Sequence, residues 1–245
     1  DEAVETGHEA VELARETGNE RKVGTALYTL GRTAFYRGEY DDATSYATES
    51  LEIRRDIGER HTQADSRLLL GRARSRTDEH AAAAKDLRTA LETYREIGDE
   101  HSEAEAEIGL GELAVRRNDL DAAHEWLSDA RERAGACGDP FFEAEAEVGL
   151  ASVAAARDDH STAVERLSAV VERTRELGAM PVAVDAVGRL VDLAIDRGDA
   201  EAAAEWCRVG AEIATDRHRP SAEAFRERAE SLASGTVSDP DVTAE

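Results

Sequence analysis

Leucine returns every forty residues along this chain, at Leu30, Leu70, Leu110, Leu150 and Leu190. Two further columns keep the same step: Ala43, Ala83, Ala123, Ala163 and Ala203, and Gly18, Gly58, Gly98, Gly138 and Gly178. Three columns in phase over most of the chain mean one unit copied in series. A single unit of this size cannot cover its own apolar face, so the copies must stack on one another. In the first complete unit, Leu27, Leu30 and Ala34, then Ala43, Ala47, Ser50 and Leu51, recur at helical spacing, so each unit reads as two helices. The apolar fraction is 41% but the aromatic fraction only 4%, which leaves a core of small aliphatics, suited to helix packing and poorly suited to a β-sandwich. The fold class expected is all-α.

Turn chemistry places the breaks. Gly38-Glu39-Tyr40, Asn118-Asp119, Asp158-Asp159 and Gly198-Asp199 pair a residue tolerant of the left-handed conformation with an acid able to start the next helix. Pro140, Pro181 and Pro220 fall at or just before helix starts, where a missing N–H is harmless. Helices are therefore expected at about 21–37, 41–57, 61–77, 81–97, 101–117, 121–136, 141–157, 161–177, 182–197, 200–216 and 220–233. The corresponding repeats are 19–58, 59–98, 99–138, 139–178 and 179–217. Residues 1–18 align with a second helix, making an incomplete leading repeat, while 218–233 reads as a capping helix and 234–245 as a flexible acidic tail. An opening at Asp1 without methionine is what a fragment of a longer protein shows. Gly31, Gly71, Gly111 and Ala151 form a column of small residues, expected to let helix axes approach closely with alanines facing them.

These residues carry a resemblance. Leu30-Gly31, the small column at Ala43, the large apolar column at Leu87, Leu127 and Leu167, and the column of Ser50, Ala90 and Ala130 resemble the tetratricopeptide repeat. The stretch from Leu30-Gly31 through Gly38-Glu39-Tyr40-Asp41 to Ser50-Leu51-Glu52-Ile53 is similar to its forty-residue variant, found in kinesin light chains, Pins-type polarity proteins and the arms of signalling NTPases. The resemblance implies a right-handed α-solenoid of antiparallel helix pairs whose first helices line a concave surface. It also implies a non-catalytic scaffold that binds a protein or peptide there, within a larger signalling or regulatory protein. The alternative is a self-association module, forming a homo-oligomer through the N-terminal half-repeat, where Val4, Val11 and Leu13 would lack cover.

On the first complete repeat, Tyr28, Arg32, Phe35 and Tyr36 share one helical face, and Arg72, Arg76 and Arg116 occupy equivalent places further on. Residues 21–80 hold 11 basic and 10 acidic groups, whereas the whole chain holds 30 and 54 for a net charge of −24. A groove of Tyr28, Arg32, Tyr36, Arg72, Arg76 and Arg116 suits an acidic or C-terminal peptide, because guanidinium pairs with carboxylate and stacks on rings. The competing reading is that these arginines pair with acids on neighbouring helices. Peptide-binding repeats of this kind usually carry Asn after the Leu-Gly pair; here Arg32, Arg72, Glu112, Ser152 and Asp192 stand there, which favours recognition of side-chain charge over backbone.

Net charge excludes duplex nucleic acid as the main ligand, since phosphate binding draws on Lys and Arg. Lysine occurs only at Lys22 and Lys85, so 28 of 30 cations are arginine, a pattern expected of a protein adapted to high salt. No apolar run approaches the roughly 18 residues of a membrane span, and no basic-then-apolar leader opens the chain. Cys137 and Cys207, 70 apart and in apolar columns, read as buried thiols in a reducing, cytoplasmic setting, with no disulfide or metal role. No phosphate-binding loop is present; Gly109-Leu110-Gly111 sits inside a helix and reads as packing. The matched pairs His61 and His101, and His80 and His160, reflect the repeat, and Glu103, Glu105 and Glu107 are expected to face solvent. No cofactor and no enzymatic activity are expected.

Overall fold

The computed structural model describes residues 2–177, 180–214 and 219–234, which form twelve helices and no strand. They are α1 (Glu2–Glu16), α2 (Glu20–Tyr36), α3 (Tyr40–Ile57), α4 (Arg60–Arg76), α5 (His80–Ile97) and α6 (Glu100–Arg116). Then follow α7 (Leu120–Cys137), α8 (Pro140–Ala156), α9 (His160–Leu177), α10 (Met180–Asp196), α11 (Ala200–Ile213) and α12 (Arg219–Ser234). The chain divides into two compact units, Asp1–Glu143 and Ala144–Glu245, each a stack of antiparallel helices within one all-α helical-repeat fold. Gly178, His218 and all of the expected tail beyond Ser234 lie outside the described residues.

Local chemistry sets the helix ends. Asp99, Asp119 and Asp199 accept hydrogen bonds from the backbone N–H of Ser102, Ala122 and Ala202, and Asn19 accepts one from Lys22, satisfying donors that a helix start leaves open. First helices end on a left-handed residue, which is glycine at Gly38 and Gly198 but Asp78, Asn118 and Asp158 elsewhere, with φ of 61, 56 and 60°. Asp78 joins this set although the sequence did not mark it. Helix α11 ends at Ile213, earlier than the expected 216, because Ala214 leaves helical geometry at ψ 86°.

The leucine column is buried throughout, and the alanine column has no exposure at all. Small residues on the first helix are matched by leucines rather than by the expected alanines. A Cβ added to Gly71 or Gly111 would lie 2.7 Å from Leu87 Cγ or 2.5 Å from Leu127 Cγ. Glycine costs a helix interior about 1 kcal/mol against alanine; here that cost admits a leucine to the core. Helix α12 keeps the forty-residue register, and Phe225 sits over Gly210 of α11 so closely that a Cβ there would lie 2.6 Å from the ring.

Three further expectations are corrected. Val11, expected to lack cover, is buried with Val23, Leu27 and Leu30, and Val4 packs against them; of the three residues expected to lack cover, Leu13 is the exposed one. Glu103 and Glu107 do not face solvent: Glu107 is fully buried, accepting hydrogen bonds from Arg95 Nη2 at 3.1 Å and Arg133 Nε at 3.0 Å. Glu103 lies 3.3 Å from Arg133 Nη1 and 3.6 Å from Arg95 Nε. Spaced four apart, both acids point between α5 and α7, where arginine replaces the water a carboxylate needs. Cys207 is buried as expected, but Cys137 is exposed. It is the last residue of α7 before a left-handed glycine; the equivalent Ile97 is also exposed, and Ile57 is half-buried.

Candidate protein-interaction site

Helix α2 carries Tyr28, Arg32 and Tyr36 along one face; α4 contributes Arg72 and Arg76, and α6 ends on Arg116. The fold brings four of the six expected residues together: Tyr28, Arg32, Tyr36 and Arg72 line one cleft with Phe35, Leu68, Leu69 and Glu105. Its volume is about 10 Å³, room for roughly one water. Guanidinium groups and rings fill the remainder. Arg54 stacks 4.6 Å from the centre of the Tyr28 ring, and Arg32 lies 5.9 Å from the same ring. Arg72 and Arg76 lie 5.1 and 5.8 Å from the Phe35 ring, and Arg76 also reaches Tyr40.

Arg72 is only 4% exposed. Its Nη1 donates to Glu105 Oε1 at 3.2 Å, while Glu112 Oε2 lies 3.8 Å from Arg72 Nη2 and 3.3 Å from Arg76 Nη2. Pairing across neighbouring helices therefore operates for Arg72 and Arg76. The accessible part of the face is Arg32, Tyr36 and Arg116, with Arg76 half-buried. Burial, followed by the Glu105 and Asp65 carboxylates, pushes the Tyr28 phenol well above its ordinary value, so it stays neutral. Burial likewise raises Asp65, whose Oδ1 accepts from Tyr94 Oη at 2.9 Å.

Sequence reasoning missed Glu105 as a member of this cleft. The signal was available, because Asp65, Glu105, Glu145 and Asp185 form an acidic column with the forty-residue step. Among the described residues, no cluster of metal-binding side chains occurs, and no helix is long and apolar enough to cross a membrane.

Two family models described as tetratricopeptide repeat match residues 1–56 and 148–216, together 125 of the 245 residues. The chain belongs to the tetratricopeptide repeat family. No curated protein matches it. Among solved structures, this repeat protein is similar to a Rap protein complexed with competence and sporulation factor, with TM-score 0.66, 16% identity, and coverage of 95% of this chain and 70% of that one. It is also similar to BtubC (BKLC) from P. vanneervenii, with TM-score 0.59, 16% identity, and coverage of 100% and 95%. A third likeness is to aspartyl phosphate phosphatase F from Bacillus subtilis, with TM-score 0.66 and 14% identity, covering 94% of this chain and 60% of that one. At these identities the likeness is one of fold.

Proposed function

We propose that this tetratricopeptide repeat protein is a non-catalytic scaffold that holds an acidic segment of a protein partner on the first-helix face of its first three complete repeats. The observation that carries this reading is the concentration of arginine and aromatic side chains there, in a 21–80 segment with 11 basic and 10 acidic groups within a chain of net charge −24. Arg32 and Tyr36 are exposed and Arg76 is within reach, whereas Arg72 acts as the buried post on which Phe35 and Glu105 are arranged. A Rap protein of the same fold has been seen in complex with competence and sporulation factor, which supports a protein or peptide partner here. The phosphatase name of another structural neighbour belongs to a chain of which this one spans 60%, and no activity is carried over from it. The reading places the protein in a reducing cytoplasm of high salt and gives it no nucleic-acid, membrane or cofactor partner.

A labelled glutamate-rich decapeptide, followed by fluorescence anisotropy, tests the proposal. Arg32→Glu with Tyr36→Ala is expected to weaken binding by about tenfold or more, the scale of one lost charge-assisted contact, with an unchanged melting curve. Equal binding to the variant, or none to the parent, overturns it.

One observation favours self-association as a second reading. Ala10 of α1 is exposed, whereas its register partners Ser50, Ala90 and Ala130 are fully buried, and Leu13 beside it is 62% exposed. Light scattering at rising concentration, with Leu13→Glu as control, decides this: a constant monomer mass removes the reading.

A further inference from the structure

Gly188 of α10, like Gly135 of α7, is a helix glycine with open space where its side chain would stand. Gly31, Gly71, Gly109, Gly111 and Gly210 each face a neighbouring side chain so closely that an added Cβ would meet it within 3 Å, whereas a Cβ on Gly188 of α10 would meet nothing within 4 Å. The position is a register column that is otherwise filled, by Tyr28, Leu68, Ile108 and Val148. Opposite the vacancy lies a cavity of about 380 Å³, walled by Val184, Gly188 and Arg189 of α10 and by Ala224, Phe225 and Arg228 of α12. That is within the roughly 300–1,000 Å³ typical of ligand pockets, whereas the cleft on α2 and α4 holds only about 10 Å³.

The chain shows what fits this column. In the first complete repeat the place is taken by the Tyr28 ring, with guanidinium groups at 4.6 and 5.9 Å from its centre. At Gly188 the ring is missing, but two guanidinium groups border the space. Arg189 is held by Ser152 Oγ, to which its Nη1 donates at 2.6 Å, and by Asp185 Oδ2 at 3.1 Å from Nε; Arg228 is held by Asp192 Oδ1 at 2.7 Å from Nη2. The two carboxylates position the guanidinium groups and balance their charge, so the pocket as a whole attracts neither sign. Asp185 and Asp192 line the pocket too, and its apolar surface comes from Val184, Ala224 and Phe225.

We propose that this pocket receives an aromatic side chain from a partner polypeptide, which occupies the place Tyr28 fills in the first complete repeat and lies against Arg189 and Arg228. This deepens the scaffold reading by giving it a second, chemically distinct contact. It does not depend on the arginine-rich face of α2 and α4, so failure of the acidic-peptide test leaves it standing and the converse holds too.

The test is ¹H–¹⁵N NMR titration of the intact chain with acetyl-Ala-Ala-Tyr-Ala-Ala-amide, with the Leu and Ala versions of that peptide, and with free 4-methylphenol. Saturable shifts centred on Gly188 and Phe225 are expected for the Tyr peptide, weaker for the Leu peptide and absent for the Ala peptide. Arg228→Gln should weaken the Tyr peptide about three- to tenfold, the scale of a cation–π contact. Gly188→Tyr, which puts a ring into the space from the chain itself, should abolish the shifts without lowering the melting temperature. Unchanged binding in Gly188→Tyr, equal binding of the Tyr and Leu peptides, or absence of saturable shifts overturns the proposal. Binding of 4-methylphenol that is tighter than that of the Tyr peptide overturns its assignment to a polypeptide.

Discussion

Leu87 and Ala47 hold the same register position on the second helices of adjacent repeats, yet both are fully buried. The difference is made up on the following first helix. Gly109 stands against Leu87, where an added Cβ would lie 2.8 Å from Leu87 Cδ2, whereas Leu69, at the equivalent place beside Ala47, comes within 2.9 Å of where a Gly31 Cβ would be. Core volume is thus conserved although single columns vary. Leu110, 4% exposed amid Leu87, Leu91 and Leu113, has no such compensation, so Leu110→Ala should lower unfolding free energy by about 2–5 kcal/mol in urea denaturation. The buried carboxylate of Glu107 makes a second prediction. Arg133→Ala removes two of its three hydrogen bonds and should cost about 1–3 kcal/mol by the same measurement, more than Arg95→Ala, which removes one and is half exposed.

At the scale of elements, helices of both kinds begin on a capping carboxylate or amide, Asn19 and Asp99 before first helices and Asp119 and Asp199 before second ones. Asp99 shows how this joins two repeats. It accepts from Ser102 N–H at 3.1 Å at the start of α6 and from the Ser102 hydroxyl at 2.7 Å, and it contacts His61 Nε2 of α4 at 2.8 Å. Burial alone would raise its pKa, but these Ser102 and His61 contacts more than offset that and hold it below the ordinary carboxylate value. Because the folded value is depressed, the stabilisation is complete above the unfolded value near 3.9 and is lost as pH falls through the folded one. Asp99→Asn should therefore show a flatter loss of urea midpoint between about pH 5 and pH 2; an acid limb identical to that of the parent would remove Asp99 from the account.

At the scale of the molecule, repulsion within a net charge of −24 competes with many surface ion pairs, such as Arg15 with Glu49 and Arg60 with Glu96. Exposed pairs contribute about 0–1 kcal/mol each, and molar salt, with a Debye length of roughly 3 Å, screens pairs and repulsion alike. The excess of 24 acids makes repulsion the larger effect. The melting temperature should rise as KCl is raised from about 0.1 to about 2 M; a fall would mean that the ion pairs dominate.

The repeat, the helix pairs and the leucine and alanine columns were legible in the sequence because periodicity and capping are local properties, restated five times. The roles of individual charges and gaps were not. Arg72 reads from the sequence as a groove residue and Glu107 as a solvent-facing acid, yet both are buried, paired with Glu105 and Arg133, which lie 33 and 26 residues further along the chain. Cys137 lies in an apolar column and is exposed at the last position of α7, next to the left-handed Gly138. Gly188 looks like any other helix glycine until the space above it is seen. A column names the face on which a side chain stands, but its burial, its counter-charge and the room around it depend on what neighbouring helices bring, and only tertiary packing decides that.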